Sequence, residues 1–272
     1  MAALLGGVGP APEVYLAVVG PGEKLFSLFG HAALVVQRDP SAPLESAEVY
    51  NFGVADFADP ELQRAFVGGR AEFWGQKTPL EAELRGWRSD DRDVRLHPLE
   101  LRPGQRARLI GWLEREVERR YVYDTFRENC ATRLRDALDE VTAGAVYAAT
   151  GTAFTLYAFR DDVRSTYSRR PLMLLVDEVF AGISMDRPRT LWALAYRPSG
   201  LVAALAQVDQ GGVTLLGKPL VLHRRLAPST VDGSPHRARV FLGIVAALLF
   251  ALAWLGGRLG PGPRLALLAA WV

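Results

Sequence analysis

The sequence predicts an α+β domain followed by a C-terminal transmembrane helix, and three observations carry that prediction. Short apolar runs rich in β-branched residues, several of them closed by Gly or Pro, crowd the first part of the chain. Apolar residues recur at helical spacing from Pro103 onward. Eighteen consecutive uncharged residues, VFLGIVAALLFALAWLGG, then run from Val240 to Gly257.

In chain order, VYLAVVG (14–20) is the first strand, ended by a Gly-Pro-Gly turn signal. HAALVVQ (31–37) is a second, buried strand, and AEVYNFGV (47–54) a third. The two-residue period puts Val49 and Asn51 on one face of that third strand and Tyr50 and Phe52 on the other. AEFWGQ and DVRLHPLEL supply a fourth and a fifth. In GQRARLIGWLEREVERR, Leu109, Ile110, Leu113 and Val117 form one stripe with charges opposite, which predicts an amphipathic helix. A second helix begins at Cys130, because Leu134, Ala137, Leu138 and Val141 follow it at helical spacing. Residues 152–210 read as short helices and loops broken at Pro171 and Pro188, and VTLLGKPLVLHRR closes the domain as a hairpin around Gly217.

These elements assign residues 12–225 to one domain and 226–239 to a linker. Residues 240–257 are about enough to cross ~30 Å of hydrocarbon as a helix, and Trp254 stands near one end. Residues 258–272 read as a loop and the start of a second, truncated span, LALLAAWV. At the other end, MAALLGGV is apolar but lacks the basic n-region of a signal peptide. Arg237 and Arg239 before the span nearly balance Arg258 and Arg264 after it, so charge alone does not orient it.

Composition narrows the chemistry. A net charge of +2, with basic residues scattered among acidic ones, argues against a nucleic-acid partner. The single cysteine excludes an internal disulfide and a thiolate-clustered zinc site. His31, His97, His223 and His236 show no metal-ligand spacing, so neither a metal nor a cofactor is expected. His97 reads as an exposed residue at a strand end, His223 and His236 as neighbours of lipid headgroups, and Asp161-Asp162 as a solvated loop.

Cys130 remains, in ENCATRLRD (128–136). Asn129 is a good N-cap, which places the thiol in the first helical turn, where the dipole and nearby Arg127, Arg133 and Arg135 favour a thiolate. Unsatisfied N–H groups of that turn can receive an oxyanion. A free cysteine is also a common inert core residue, and the helix start does not separate the two readings. His31 opens its strand directly after Phe29-Gly30, a position suited to a base that takes the thiol proton. Asn51 on the neighbouring strand is the positional choice for a third residue holding the imidazole, with Glu48 and Tyr50 behind it.

Three ordered segments then resemble a known family. YLAVVGPGEKLFSLFGHAAL, VYNFGVADFADP and RYVYDTFRENCATRLRD are similar to the N-terminal periplasmic domain of the Lnb-type bacterial lipoprotein N-acylation proteins, over roughly residues 12–225. The order of histidine before cysteine, with NC at a helix start, also resembles circularly permuted papain-like thiol enzymes, a group that includes NlpC/P60 cell-wall hydrolases. The resemblance implies a permuted papain-like domain with an antiparallel sheet, His31 as the family histidine and Cys130 as the nucleophile. It fixes no third member, so Asn51 stays a positional inference. It further implies a phospholipid acyl donor, a lipoprotein acceptor, and a domain on the outer face of the bacterial cytoplasmic membrane. A cell-wall peptide hydrolase and a non-catalytic membrane-tethered binding domain are the alternatives. An open polar groove at Cys130 would favour the hydrolase, and an apolar tunnel the acyltransferase. A thiol buried against Leu134 and Leu138, with His31 out of reach, would favour the binding domain.

Overall fold

The computed structural model describes residues 11–228 and 235–258. The N-terminal MAALLGGV run, the part of the linker from 229 to 234 and the segment 259–272 with its expected second span lie outside the described residues.

The fold is mixed α/β around an antiparallel sheet. Its strands are β1 (Glu13–Val19), β2 (His31–Gln37), β3 (Glu48–Val54), β4 (Glu72–Pro79), β5 (Val94–Pro98), β6 (Tyr121–Val122) and β7 (Leu220–His223). They stand in the order β6-β4-β3-β2-β1-β5-β7. The helices are α1 (Glu61–Val67), α2 (Leu80–Ser89), α3 (Pro103–Glu116), α4 (Cys130–Val141), α5 (Ala145–Thr150), α6 (Phe159–Tyr167), α7 (Pro171–Phe180), α8 (Leu191–Leu194), α9 (Pro198–Leu205) and α10 (Pro235–Arg258). The described residues form two compact units: 11–157 with 188–228, and 158–187 with 235–258.

In the first unit both faces of the sheet are covered, which is why HAALVVQ is almost continuously apolar rather than alternating. One face buries Leu16, Leu34, Tyr50 and Phe52 with Leu109 and Leu113 of α3, Leu134 and Leu138 of α4 and Leu201 of α9. The other buries Ala17, Ala33, Val35 and Val49 with Leu80, Leu84 and Trp87 of α2. Val49 and Asn51 do share a face, opposite Tyr50 and Phe52, and that face belongs to α2.

The expected hairpin around Gly217 does not form. Leu216 bridges Leu99, the Gly217 amide donates to the Pro98 carbonyl, and β7 continues along β5 from Leu96–Leu220 to Val94–His223. Both halves pair with β5 rather than with each other, because β5 offers an open edge that a local hairpin would leave unpaired.

In the second unit, Asp161 and Asp162 are not a solvated loop. They begin α6, where Asp162 is buried and Asp161 pairs with Arg239 of α10 at 2.9 Å. His236–Leu255 of α10 is long and apolar enough to cross a membrane, and its apolar side chains, such as Ile244, Leu248 and Phe250, are exposed rather than packed.

Candidate functional site

The start of α4 is fixed by its cap. Asn129 is extended (φ −138°), and its Oδ1 accepts from the Ala131 and Thr132 amides at 2.8 and 2.9 Å. Thr132 Oγ1 returns the favour by accepting from the Asn129 amide at 2.8 Å. Asn129 Nδ2 donates to the carbonyls of Thr125 and Tyr196 at 2.6 and 2.8 Å, so the buried cap has every polar atom satisfied. Removing such a cap costs about 1 kcal/mol even where it is exposed. This cap leaves Cys130 as the first helical residue, half-buried against the cluster that holds Leu134 and Leu138.

The thiol lies where β2 and β3 part. Gly53 has φ +85° at the register shift of β3 against β4, and a Cβ built there would sit 3.7 Å from the Cβ of Cys130. The contact itself would be an ordinary one; it is the left-handed backbone that glycine adopts at low cost. The backbone amides of Ala32, Ala131 and Cys130 face the sulfur, so it stands one residue along β2 from His31. Among the described residues there is no hydrogen bond between the thiol and the imidazole; the hydrogen bond of His31 goes to Asn51.

That bond sets the tautomer. His31 Nε2 and Asn51 Oδ1 are 2.9 Å apart. Asn51 Nδ2 donates to Glu83 Oε1 at 3.0 Å and to Thr78 Oγ1 at 3.3 Å, and Thr78 Oγ1 donates to the same carboxylate at 2.6 Å. A carboxylate only accepts, which fixes the amide nitrogen on the Glu83 side and the amide oxygen on the histidine side. Nε2 therefore carries the hydrogen, and Nδ1 keeps its lone pair. Burial is the main force on this histidine. It lowers the pKa from 6.5 to about 4, the Asn51 bond opposes it, and the Arg92 charge adds to it. His31 is a neutral base at neutral pH.

Burial also dominates at Cys130, where it raises the thiol pKa. The Ala32, Ala131 and Cys130 amides and the charge of Arg92 pull the other way without reversing it. The thiolate expected from the helix dipole is thus not the resting form, because desolvation of the sulfur outweighs the dipole and the amides. Two of the three arginines expected to help are engaged elsewhere. Arg133 pairs with Glu116 and Glu128 at 2.8 and 2.6 Å under the rings of Tyr121 and Phe52, and Arg135 pairs with Asp136 and stacks on Trp192.

A cleft of about 590 Å³, within the usual size of small-molecule sites, opens beside His31; Gly53 lines it, whereas Cys130, behind Gly53, does not. His31, Asn51, Gly53, Glu83 and Arg92 are among the residues that line it. Phe26 and Phe57, exposed and in tilted contact with ring centroids 5.1 Å apart, give it an aromatic wall, while Lys24, Ser27, Gln63 and Gln76 make it polar elsewhere. No group of metal-ligating side chains occurs among the described residues.

Two other sequence expectations change here. Glu48 and Tyr50 do not stand behind Asn51; they form a cluster with Arg38, Lys77 and Glu114, with Tyr50 on the opposite face of the sheet. Glu83 and Thr78 take their place, from α2 and β4. His97 is buried rather than exposed, and His223 pairs with Asp91 at 3.3 Å. Sequence reasoning missed Glu83, Thr78 and Arg92 altogether. The one local signal for them was the run of polar residues around α2.

Fold and site together define a mixed α/β domain that presents one cysteine and one histidine at the mouth of an antiparallel sheet. The chain belongs to the family described as the Lnb N-terminal periplasmic domain, whose model matches residues 10–169 and so takes in His31, Asn51 and Cys130. No curated protein and no solved structure matches the chain.

Proposed function

We propose that this protein is a membrane-anchored thiol acyltransferase that N-acylates the terminal diacylglyceryl-cysteine of bacterial lipoproteins. The observation that carries the reading is the neutral, Asn51-oriented His31 set one strand residue from a thiol at a capped helix start. His31 Nδ1 takes the Cys130 proton as the sulfur attacks a phospholipid ester carbonyl. The S–C bond forms, the ester C–O bond breaks, and the proton passes from His31 to the departing glycerol oxygen. The lipoprotein α-amine then attacks the thioester, gives its proton to His31, and releases Cys130 as the thiol. The aromatic wall of Phe26 and Phe57 suits an acyl chain. The membrane-length α10 keeps the domain near two substrates that do not leave the bilayer, at the outer face of the cytoplasmic membrane. A permuted papain-like ancestry fits the order of His31 before Cys130.

The polar wall of Lys24, Gln63 and Gln76 favours a second reading, an NlpC/P60-like peptide hydrolase in which water resolves the acyl-enzyme. The cleft is neither the apolar tunnel nor the open polar groove that would decide by shape alone. The half-buried thiol on the Leu134–Leu138 cluster, without a hydrogen bond to His31 among the described residues, keeps a non-catalytic binding domain as a third reading.

Incubation of the purified full chain with phospholipid, followed by intact-protein mass spectrometry, tests the choice. A hydroxylamine-sensitive acyl adduct on Cys130, absent in Cys130→Ala and His31→Ala, is the expected result. Release of peptides from cell wall without any adduct would establish the hydrolase. Full lipoprotein N-acylation by Cys130→Ala at equal expression would sink both.

A further inference from the structure

Acyl transfer at Cys130 creates a negative oxygen on the attacked carbonyl, and the helix start is poorly supplied to receive it. The Ala131 and Thr132 amides are already held by Asn129 Oδ1, which leaves the Cys130 amide of that turn. Arg133 and Arg135 are bound by carboxylates. On the cleft side, Glu83 is committed to Asn51 and Thr78, and Lys24 to Asp90 at 3.0 Å. One charge is left over. Arg92 is only 7% exposed, lines the cleft beside His31 and Gly53, and is anchored by Nε donating to the Gly20 carbonyl at 2.8 Å. Its Nη2 is buried and has no hydrogen-bond partner among the described residues. A buried guanidinium nitrogen without an acceptor costs free energy that an acceptor recovers, an anionic one most fully. The Asp90 carboxylate, which also lines the cleft, is the strongest charge acting on Arg92, and Arg92 in turn acts electrostatically on both Cys130 and His31.

We infer that Arg92 is the oxyanion-binding residue of this site, its free guanidinium edge receiving the carbonyl oxygen as the Cys130–carbon bond forms. The inference rests on the acyl-transfer reading and adds to it a residue that no motif in the sequence marks. As sulfur attacks, the carbonyl π pair moves to oxygen beside Arg92 and the thiol proton to His31. Collapse returns the pair, expels the alcohol oxygen, and hands it the proton. Arg92 neither gains nor loses a proton in this sequence.

The test compares two reactions at one thiol, in the full-length protein in detergent. Acylation by p-nitrophenyl butyrate passes through an oxyanion; alkylation by iodoacetamide is a displacement at a saturated carbon and does not. Arg92→Gln is expected to slow acylation by about 10² or more, the usual cost of one oxyanion donor, and alkylation by much less. Arg92→Lys, which keeps the charge, is expected to recover part of the acylation loss; should the glutamine variant fail to fold, the lysine variant alone must show the same split. Equal loss in both reactions, or acylation within about threefold of the wild type, overturns the assignment. A wild type that forms no acyl adduct at all overturns the acyltransferase reading and this inference with it, whereas wild-type acylation with an indifferent Arg92→Gln overturns this inference only.

Discussion

His31 and His97 sit on strands that flank β1, paired with Val19 and with Leu16 respectively, and burial lowers the pKa of both. Their surroundings differ. His31 meets a polar relay of Asn51, Thr78 and Glu83 at the wall of a cleft. His97 is closed in, facing the backbone of Gly217, with Nδ1 buried and unpartnered among the described residues. A depressed pKa alone therefore does not mark a functional histidine. What separates the two is a relay that fixes the tautomer and a space in which a substrate can stand.

The largest expected effect breaks that comparison open. His31→Gln removes the proposed base and should lower the proposed acyl transfer by about 10²–10⁴, the range for a general base. His97→Gln, away from the cleft, should leave transfer within about twofold. Steady-state N-acylation by both variants, with melting temperatures to confirm folding, checks the pair. Equal losses would mean that the relay and the cleft carry no special role.

Asn51→Leu comes next. It deletes the Oδ1 acceptor that holds His31 Nε2–H and frees the ring to rotate, with an expected loss of about 10–100-fold, typical of orienting residues. Because Cys130 and His31 both remain, thiol alkylation should persist in this variant. Complete loss of folding would show instead that the Asn51–Glu83 bond is chiefly structural.

Gly53→Ala should cost about 1–2 kcal/mol through its left-handed backbone alone. It also sets a methyl against Cys130, so iodoacetamide should react more slowly with this thiol than with the wild type. Urea unfolding and alkylation rates measured on one preparation test both halves.

Part of this site was legible in the sequence, for a physical reason. HAALVVQ and VYNFG are local signals, since a strand buried on both faces must be apolar throughout, and β2 spans His31–Gln37 as read. Asn129 announces the start of α4 because a cap acts on its own first turn. Asn51 could be placed on a face from the two-residue period alone. Arg92, Glu83 and the register shift at Gly53 could not, because they meet Cys130 and His31 only through strand pairing between distant segments. The misplaced hairpin at Gly217 has the same origin: local turn chemistry allowed it, and the open edge of β5 prevailed. The misread charge state of Cys130 differs in kind. Dipole and arginines were visible in the sequence, but burial, which the sequence does not state, outweighed them.

The smallest effect sharpens the histidine comparison through pH. A folded-state pKa near 4 against 6.5 in the unfolded chain means that, as pH falls below 6.5, the unfolded state takes up the His31 proton first. The stability contributed by keeping this ring neutral is thus complete above pH 6.5 and is lost progressively toward pH 4. His31→Gln lacks the linkage, so the stability gap between wild type and variant should be flat above pH 6.5 and shift against the wild type below it. His97 is lowered too, so His97→Gln should show a shift of the same sign. The two separate in the NMR titration of the rings. His31 should titrate near pH 4 in the wild type and higher in Arg92→Gln, because the arginine charge is one of the forces holding it down. His97, on which Arg95 acts and Arg92 does not, should keep its midpoint in that variant. Movement of both midpoints together would mean that the substitution loosened the sheet as a whole and did not act on His31 through charge.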